Sequence, residues 1–144
     1  MTATPDQLAE LEAVNKKWNL VPYSAVPKMG EGPDVWNPAP DSGTRECRDY
    51  SWAKSIDLRR AGWSPLSLMD VLCWIESEPG APQGSPQTFH SILGVQIDDD
   101  IWCLDNRVPQ VYRWQDCPYP YKWSEQQMPG TDDYRDVSQT GLIA

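Results

Sequence analysis

Apolar side chains recur at Leu8, Leu11, Val14 and Trp18, that is at i, i+3, i+6 and i+10. This spacing lays a stripe along one side of a helix and predicts a packing element over roughly Pro5 to Trp18. The pattern stops at Asn19. From there to Gly43 the chain carries Pro22, Pro27, Gly30, Gly32, Pro33, Pro38, Pro40 and Gly43, so a long irregular connection is predicted. A connection of that length inside a small domain usually has a functional task. It includes Asp34-Val35-Trp36, where a large aromatic can either line a cleft or cover core.

A second helix is predicted from Thr44 to Gly62, with Thr44 as N-cap, acids in the first turn, Arg59 and Arg60 in the last, and a closing glycine. Ala53, Ile56 and Ala61 fall near one face with Trp52 beside it. That arrangement leaves Lys54, Asp57 and Arg59 in water. Further on, Val71-Leu72-Cys73-Trp74-Ile75, within Leu68 to Ser77, is a short continuous apolar run and predicts a mostly buried strand. Glu78 to Gln87 is a second loop rich in proline and glycine.

His90 to Ile97 and Ile101 to Asn106 are strand-like runs joined by Asp98-Asp99-Asp100, which predicts a hairpin. Pairing Ile97 with Asp100 across Asp98-Asp99 puts Leu93, Val95, Trp102 and Leu104 on one face. His90, Ile92, Cys103 and Asp105 then lie on the other. Val111 to Trp114 adds one more strand. Beyond Trp123 the chain is polar and poor in apolar residues, and is expected to wrap the surface or to be mobile.

With 144 residues and 40% apolar side chains the chain fits a single domain over 1–144 with its own core, and no fixed-period repeat breaks it up. The net charge of −9 opposes phosphate backbones and anionic lipid, so neither nucleic acid nor membrane is expected as a partner. No apolar run approaches the length of a bilayer span, and Met1 to Asp6 lacks the start of a signal peptide, so a cytoplasmic location is expected. Cys47, Cys73, Cys103 and Cys117 are 26, 30 and 14 positions apart, without a paired C-x-x-C, and the chain has one histidine. A structural zinc site and disulfides are both improbable on that pattern.

Cys47 sits in the first turn of the second predicted helix. Unpaired backbone N–H groups and the positive end of the helix dipole favour thiolate there. A free cysteine is more often a small buried hydrophobe, and a lone histidine is more often a hydrogen-bonded structural residue. Together, however, Cys47 at a helix N-terminus, His90 on a strand and Asp105 further along the same hairpin supply a nucleophile, a base and an orienting carboxylate in chain order.

Glu46-Cys47-Arg48-Asp49-Tyr50-Ser51, followed by Lys54 and Gly62, resembles the cysteine motif of the bacterial transglutaminase-like cysteine proteinases, within the wider transglutaminase and papain-like fold group. His90-Ser91-Ile92-Leu93-Gly94-Val95 is similar to that family's His-Ala-Val-Leu-x-Val, and Leu104-Asp105-Asn106 to its Leu-Asp-Asn. Upstream, Asp34-Val35-Trp36-Asn37-Pro38 resembles its Asp-Tyr-Trp-x-x-Pro. The likeness runs over roughly Val14 to Trp114. It implies an α+β fold, a cysteine helix packed on an antiparallel sheet. It also implies Cys47 as nucleophile, His90 as general base and acid, and Asp105 as orienter of the imidazole.

The implied activity is hydrolysis of a peptide or amide bond in a protein or peptide substrate through a thioester acyl-enzyme, with the Cys47 N–H helping to hold the oxyanion and Trp36 as a second donor or cleft wall. Transglutaminase-type acyl transfer or deamidation would use the same three residues. A non-catalytic binding module on the same fold is the competing class, since eight tryptophans and six tyrosines could furnish an adhesive surface. Oligomeric state is left open.

The chain departs from the family pattern at Ser51 and Ser91, where the family has alanine, and at Arg48, where it has an acid. Some proteinases of the family bind calcium through the acids flanking the cysteine. Here Arg48 puts a permanent positive charge on one flank, so no metal and no other cofactor is expected. Periplasmic members carry export signals. A short version without one suits a cytosolic or phage-encoded enzyme.

Overall fold

Residues 3–22, 45–75 and 88–144 are described by the computed structural model, so Trp36 and the expected N-cap Thr44 lie outside the described residues. Helix α1 spans Pro5–Asn19. It starts on a capping box in which Thr4 Oγ1 accepts from the Gln7 amide and Gln7 Oε1 accepts from the Thr4 amide, with Pro5 in the first turn where no N–H is missed.

Helix α2 spans Arg45–Arg60, and the chain leaves it through Gly62 at φ 104°, a left-handed value that favours glycine. Ala53, Ile56 and Trp52 are buried as their spacing requires. Lys54 is not in water but fully buried. Asp57 and Arg59 are half-buried, while Ala61 is exposed. The face assignment fails because α2 is enclosed on two sides: Leu58 packs with Leu93 and Val95 of the sheet and with Leu11 of α1. A helix covered on two sides buries polar positions as well, and Ser51 Oγ and Ser55 Oγ donate to the carbonyls of Ser91 and Trp52.

Among the described residues the sheet has six antiparallel strands, β1 Leu68–Ile75, β2 Thr88–Ile97, β3 Asp100–Leu104, β4 Tyr112–Arg113, β5 Lys122–Gln127 and β6 Tyr134–Asp136, in the order β4-β3-β2-β1-β5-β6. The β2–β3 hairpin has the predicted register, Ile97 opposite Asp100 and Leu93 opposite Leu104, and Asp98 takes the positive φ of the turn. One face of the sheet packs Leu93, Val95, Leu104 and Leu68 against the helices. The other packs Met69, Val71, Ile92, Ile101 and Cys103 with Tyr112, Val137 and Leu142.

The chain beyond Trp123 differs from expectation. It is built into the sheet as β5 and β6, and Val137 and Leu142 join the core. Polar side chains do part of the work there: buried Gln126 donates to the Ile143 carbonyl and accepts from the Ile143 amide, pairing with the backbone as a strand would. Lys122-Trp123-Ser124-Glu125-Gln126-Gln127 hides this role because it shows no alternation of apolar residues.

Candidate active site

Strand β3 ends at Leu104, and among the described residues β2 has no strand partner on that side beyond Leu93. The N-terminal turn of α2 meets β2 where this edge opens. Cys47 Sγ lies 3.0 Å from His90 Nδ1, and His90 Nε2 lies 2.7 Å from Asp105 Oδ1. The histidine and the aspartate have no exposed side-chain surface, whereas Cys47 is half-buried. The three residues singled out in the sequence are therefore brought together in one chain of contacts, on the face predicted from the hairpin register.

The surroundings of Asp105 fix its state. Its Oδ1 also accepts from the Arg107 amide at 2.9 Å, and its Oδ2 accepts from the hydroxyls of Tyr112 at 2.8 Å and Tyr121 at 2.9 Å. Burial alone would raise this carboxyl, but the His90 hydrogen bond and charge, with the Arg107 amide and the Tyr112 hydroxyl, hold it below the usual range. An ionised carboxylate accepts only, so His90 must present Nε2–H to it. Neutral His90 then has Nδ1 free to take a proton from Cys47.

Burial works against a charged imidazole, yet the hydrogen bonds and charges of Asp105 and Cys47 overcome it and push His90 up to about 9. The Tyr121 ring stands edge-on to the imidazole with centroids 5.5 Å apart, shielding it, and is itself packed edge-on by Trp123 and stacked on Tyr119. Burial pushes the thiols of Cys73, Cys103 and Cys117 up, so these three stay neutral.

Helix α1 holds the turn after β3. Asn19 donates to the Asp105 carbonyl at 3.0 Å, and Asn15 donates to the carbonyls of Val108 and Pro109. With its amide so oriented, Asn15 Oδ1 accepts from Lys54 Nζ at 2.9 Å. Burial lowers Lys54 to about 7 despite the attraction of Asp105 and Cys47. On the opposite side of the cysteine turn, Arg48 is folded into the protein with its Nε 3.9 Å from Asp70 Oδ2. Asp70 accepts as well from the hydroxyls of Ser91 and Tyr134, and burial raises it. Arg48 thus faces the sheet rather than the space beside the thiol.

Sequence reasoning missed Tyr112 and Tyr121, and it met Asn15 and Lys54 only as positions of the family likeness, with no role in the site. Besides that likeness, the placement of Lys54 seven positions after Cys47 puts both on one side of α2.

A helix that presents a cysteine from its first turn to a histidine and a carboxylate on an antiparallel sheet defines a transglutaminase-like α+β protein of the thiol-enzyme class. LapG of Legionella pneumophila superposes on 94% of this chain and 72% of its own in the calcium-bound form, at TM-score 0.59 and 18% identity. The EGTA-treated form gives TM-score 0.57 at 14% identity, covering 94% and 70%. At such identities the likeness establishes the fold. Comparison with curated proteins finds no match. The profile of the bacterial transglutaminase-like cysteine proteinases matches residues 1–140, and the chain belongs to that family. It is a cysteine peptidase, and its substrates are proteins or peptides.

Proposed function

We propose that the chain hydrolyses peptide bonds with Cys47 as nucleophile, His90 as general base and acid and Asp105 as orienter. The observation that carries this is the continuous Cys47–His90–Asp105 contact chain of 3.0 and 2.7 Å. His90 takes the thiol proton at Nδ1 and the thiolate adds to the scissile carbonyl. The oxyanion meets the backbone N–H of Cys47, one of the early helix amides that has no partner within the helix. Collapse of the adduct breaks the C–N bond as His90 returns the proton to the leaving amine. Water, deprotonated by His90, then releases the acid from the thioester. An amine in place of water would give transamidation; the family assignment to proteinases favours water.

LapG of L. pneumophila has been solved with calcium. The residues here do not suit that ion. Arg48 stands where the family has an acid and so supplies no side-chain oxygen beside the cysteine, and the carboxylate it meets, Asp70, is already engaged by two hydroxyls. We therefore read the enzyme as calcium-independent.

The test is cleavage of a proteome-derived peptide library by the wild type, Cys47→Ala and His90→Ala, with circular dichroism confirming that each variant folds. Both substitutions are expected to abolish cleavage. Undiminished cleavage by folded Cys47→Ala would overturn the reading, and amine incorporation without cleavage would reassign the reaction to acyl transfer.

A further inference from the structure

Among the described residues Lys54 is the largest side chain with no exposed surface, and its ammonium hydrogen-bonds to the side-chain amide of Asn15. Burying a lysine is costly, and a methionine would fill the same volume without that cost. The position demands charge rather than bulk. Lys54 lies two turns after Cys47 on the same side of α2, and long side chains on a helix lean toward its N-terminus, here toward Cys47.

The charges around it can be counted. Asp105, from the turn after β3, and Cys47, from its own helix, are the anions that act on Lys54. His90 on β2 is the cation between them. The hydroxyls of Tyr112 and Tyr121 and the thiols of Cys73, Cys103 and Cys117 are pushed up by burial and stay neutral. Arg48 and Asp70 face each other on the other side of the cysteine turn. The middle of α1 contributes Glu12, whose carboxylate accepts from the Val111 amide. Asp49, on the same helix as Lys54, is buried as well; Cys47, His90 and Asp105 themselves, with thiolate, imidazolium and carboxylate formed, carry two negative charges and one positive. Lys54 supplies the other.

We propose that Lys54 is a positioning residue of the thiol site, a buried ammonium that balances the Cys47 thiolate and the Asp105 carboxylate and so stabilises the thiolate–imidazolium pair. This rests on the reading of Cys47 as nucleophile.

The test measures iodoacetamide alkylation of Cys47 against pH in the wild type and in Lys54→Met, with thermal unfolding followed in parallel. Removing the cation is expected to move the acid limb of the rate up by about one pH unit, a roughly tenfold slower reaction on that limb. Lys54→Arg, which keeps the charge, should restore it. A folded Lys54→Met with an unmoved acid limb, whatever its Tm, would overturn the proposal and leave the peptidase reading intact. A wild-type Cys47 alkylated no faster than the other thiols would instead overturn that reading and the proposal with it.

A measurement on the wild type covers the case in which the variant does not fold. By reciprocity, alkylating Cys47 removes the thiolate and should lower the pH at which Lys54 titrates by about one unit, read from its 13Cε resonance. An unchanged Lys54 titration would refute the coupling.

Discussion

Replacing Asp105 by asparagine separates the charge of the carboxylate from its geometry. In serine proteases of the trypsin type the same exchange costs about 10⁴ in kcat because the amide reverses the histidine tautomer. The partners of Asp105 predict a milder outcome here. The Arg107 amide can only donate, so the atom at the Oδ1 position must be the asparagine oxygen, and this atom also faces His90 Nε2. The NH₂ group then falls at Oδ2, where its two N–H donors meet two hydroxyl oxygens, those of Tyr112 and Tyr121. His90 keeps its proton on Nε2, and only the charge is lost.

The size of that loss follows from His90. Its rise from 6.5 to about 9 corresponds to roughly 3 kcal/mol, shared between Asp105 and Cys47. Removing the Asp105 share should bring the alkaline limb of kcat/KM down by about 1–2 pH units and reduce kcat/KM near neutrality by about 10–100-fold. The assay is the pH profile of cleavage of a peptide taken from the library screen, for wild type and Asp105→Asn. A loss of 10⁴ or more in a folded variant would show that the amide is reversed and that the tyrosine hydroxyls do not set its orientation. An unmoved alkaline limb would show that Asp105 does not raise His90.

Gly94→Ala should destabilise the fold by about 1–3 kcal/mol without changing alkylation of Cys47, because a Cβ there would lie 2.9 Å from Met69 Cγ and 3.0 Å from Val71 Cγ2; urea unfolding reads it, and an unchanged midpoint would refute the close approach. Arg48→Met leaves Asp70 buried without its cation and should cost about 3 kcal/mol, part of it recovered in the double variant with Asp70→Asn. A cost below about 0.5 kcal/mol would show that the pair is not coupled. The pH dependence of stability carries its own sign. His90, raised to about 9, contributes stability that is complete below 6.5 and lost as pH rises to 9, whereas Lys54, lowered to about 7, makes stability rise between 7 and its ordinary 10.5. The two slopes cancel between about pH 7 and 8.5, so Lys54→Met should lose about 1.4 kcal/mol per pH unit there while the wild type stays level, and equal slopes would contradict the assignment. Cleavage should be the same with EGTA and with added calcium; a rate abolished by chelator and restored by calcium alone would show that Arg48 has been misplaced.

Both helices, the β2–β3 hairpin and its register could be read from the sequence because each follows a local rule: a period, a closing glycine, or a two-residue turn. The register fixed which face His90 and Asp105 share, and the structure brings Cys47 to them across the opened edge of β2. What escaped was polar and buried. Lys54 was placed in water because periodicity assigns charged residues outward, and only the α1 contact, made through Asn15, turns that side of α2 inward. Gln126 and Asp70 escaped for the same reason, since each lies inside the sheet on hydrogen bonds to residues remote in sequence. Tyr112 and Tyr121 add a different case. Nothing local distinguishes a tyrosine that covers core from one whose hydroxyl holds a carboxylate, and their role exists only once β4 and the turn before β5 converge on Asp105. Apolar pattern therefore predicts the frame of a buried candidate site, while its electrostatics depend on polar residues whose burial is decided by contacts between elements.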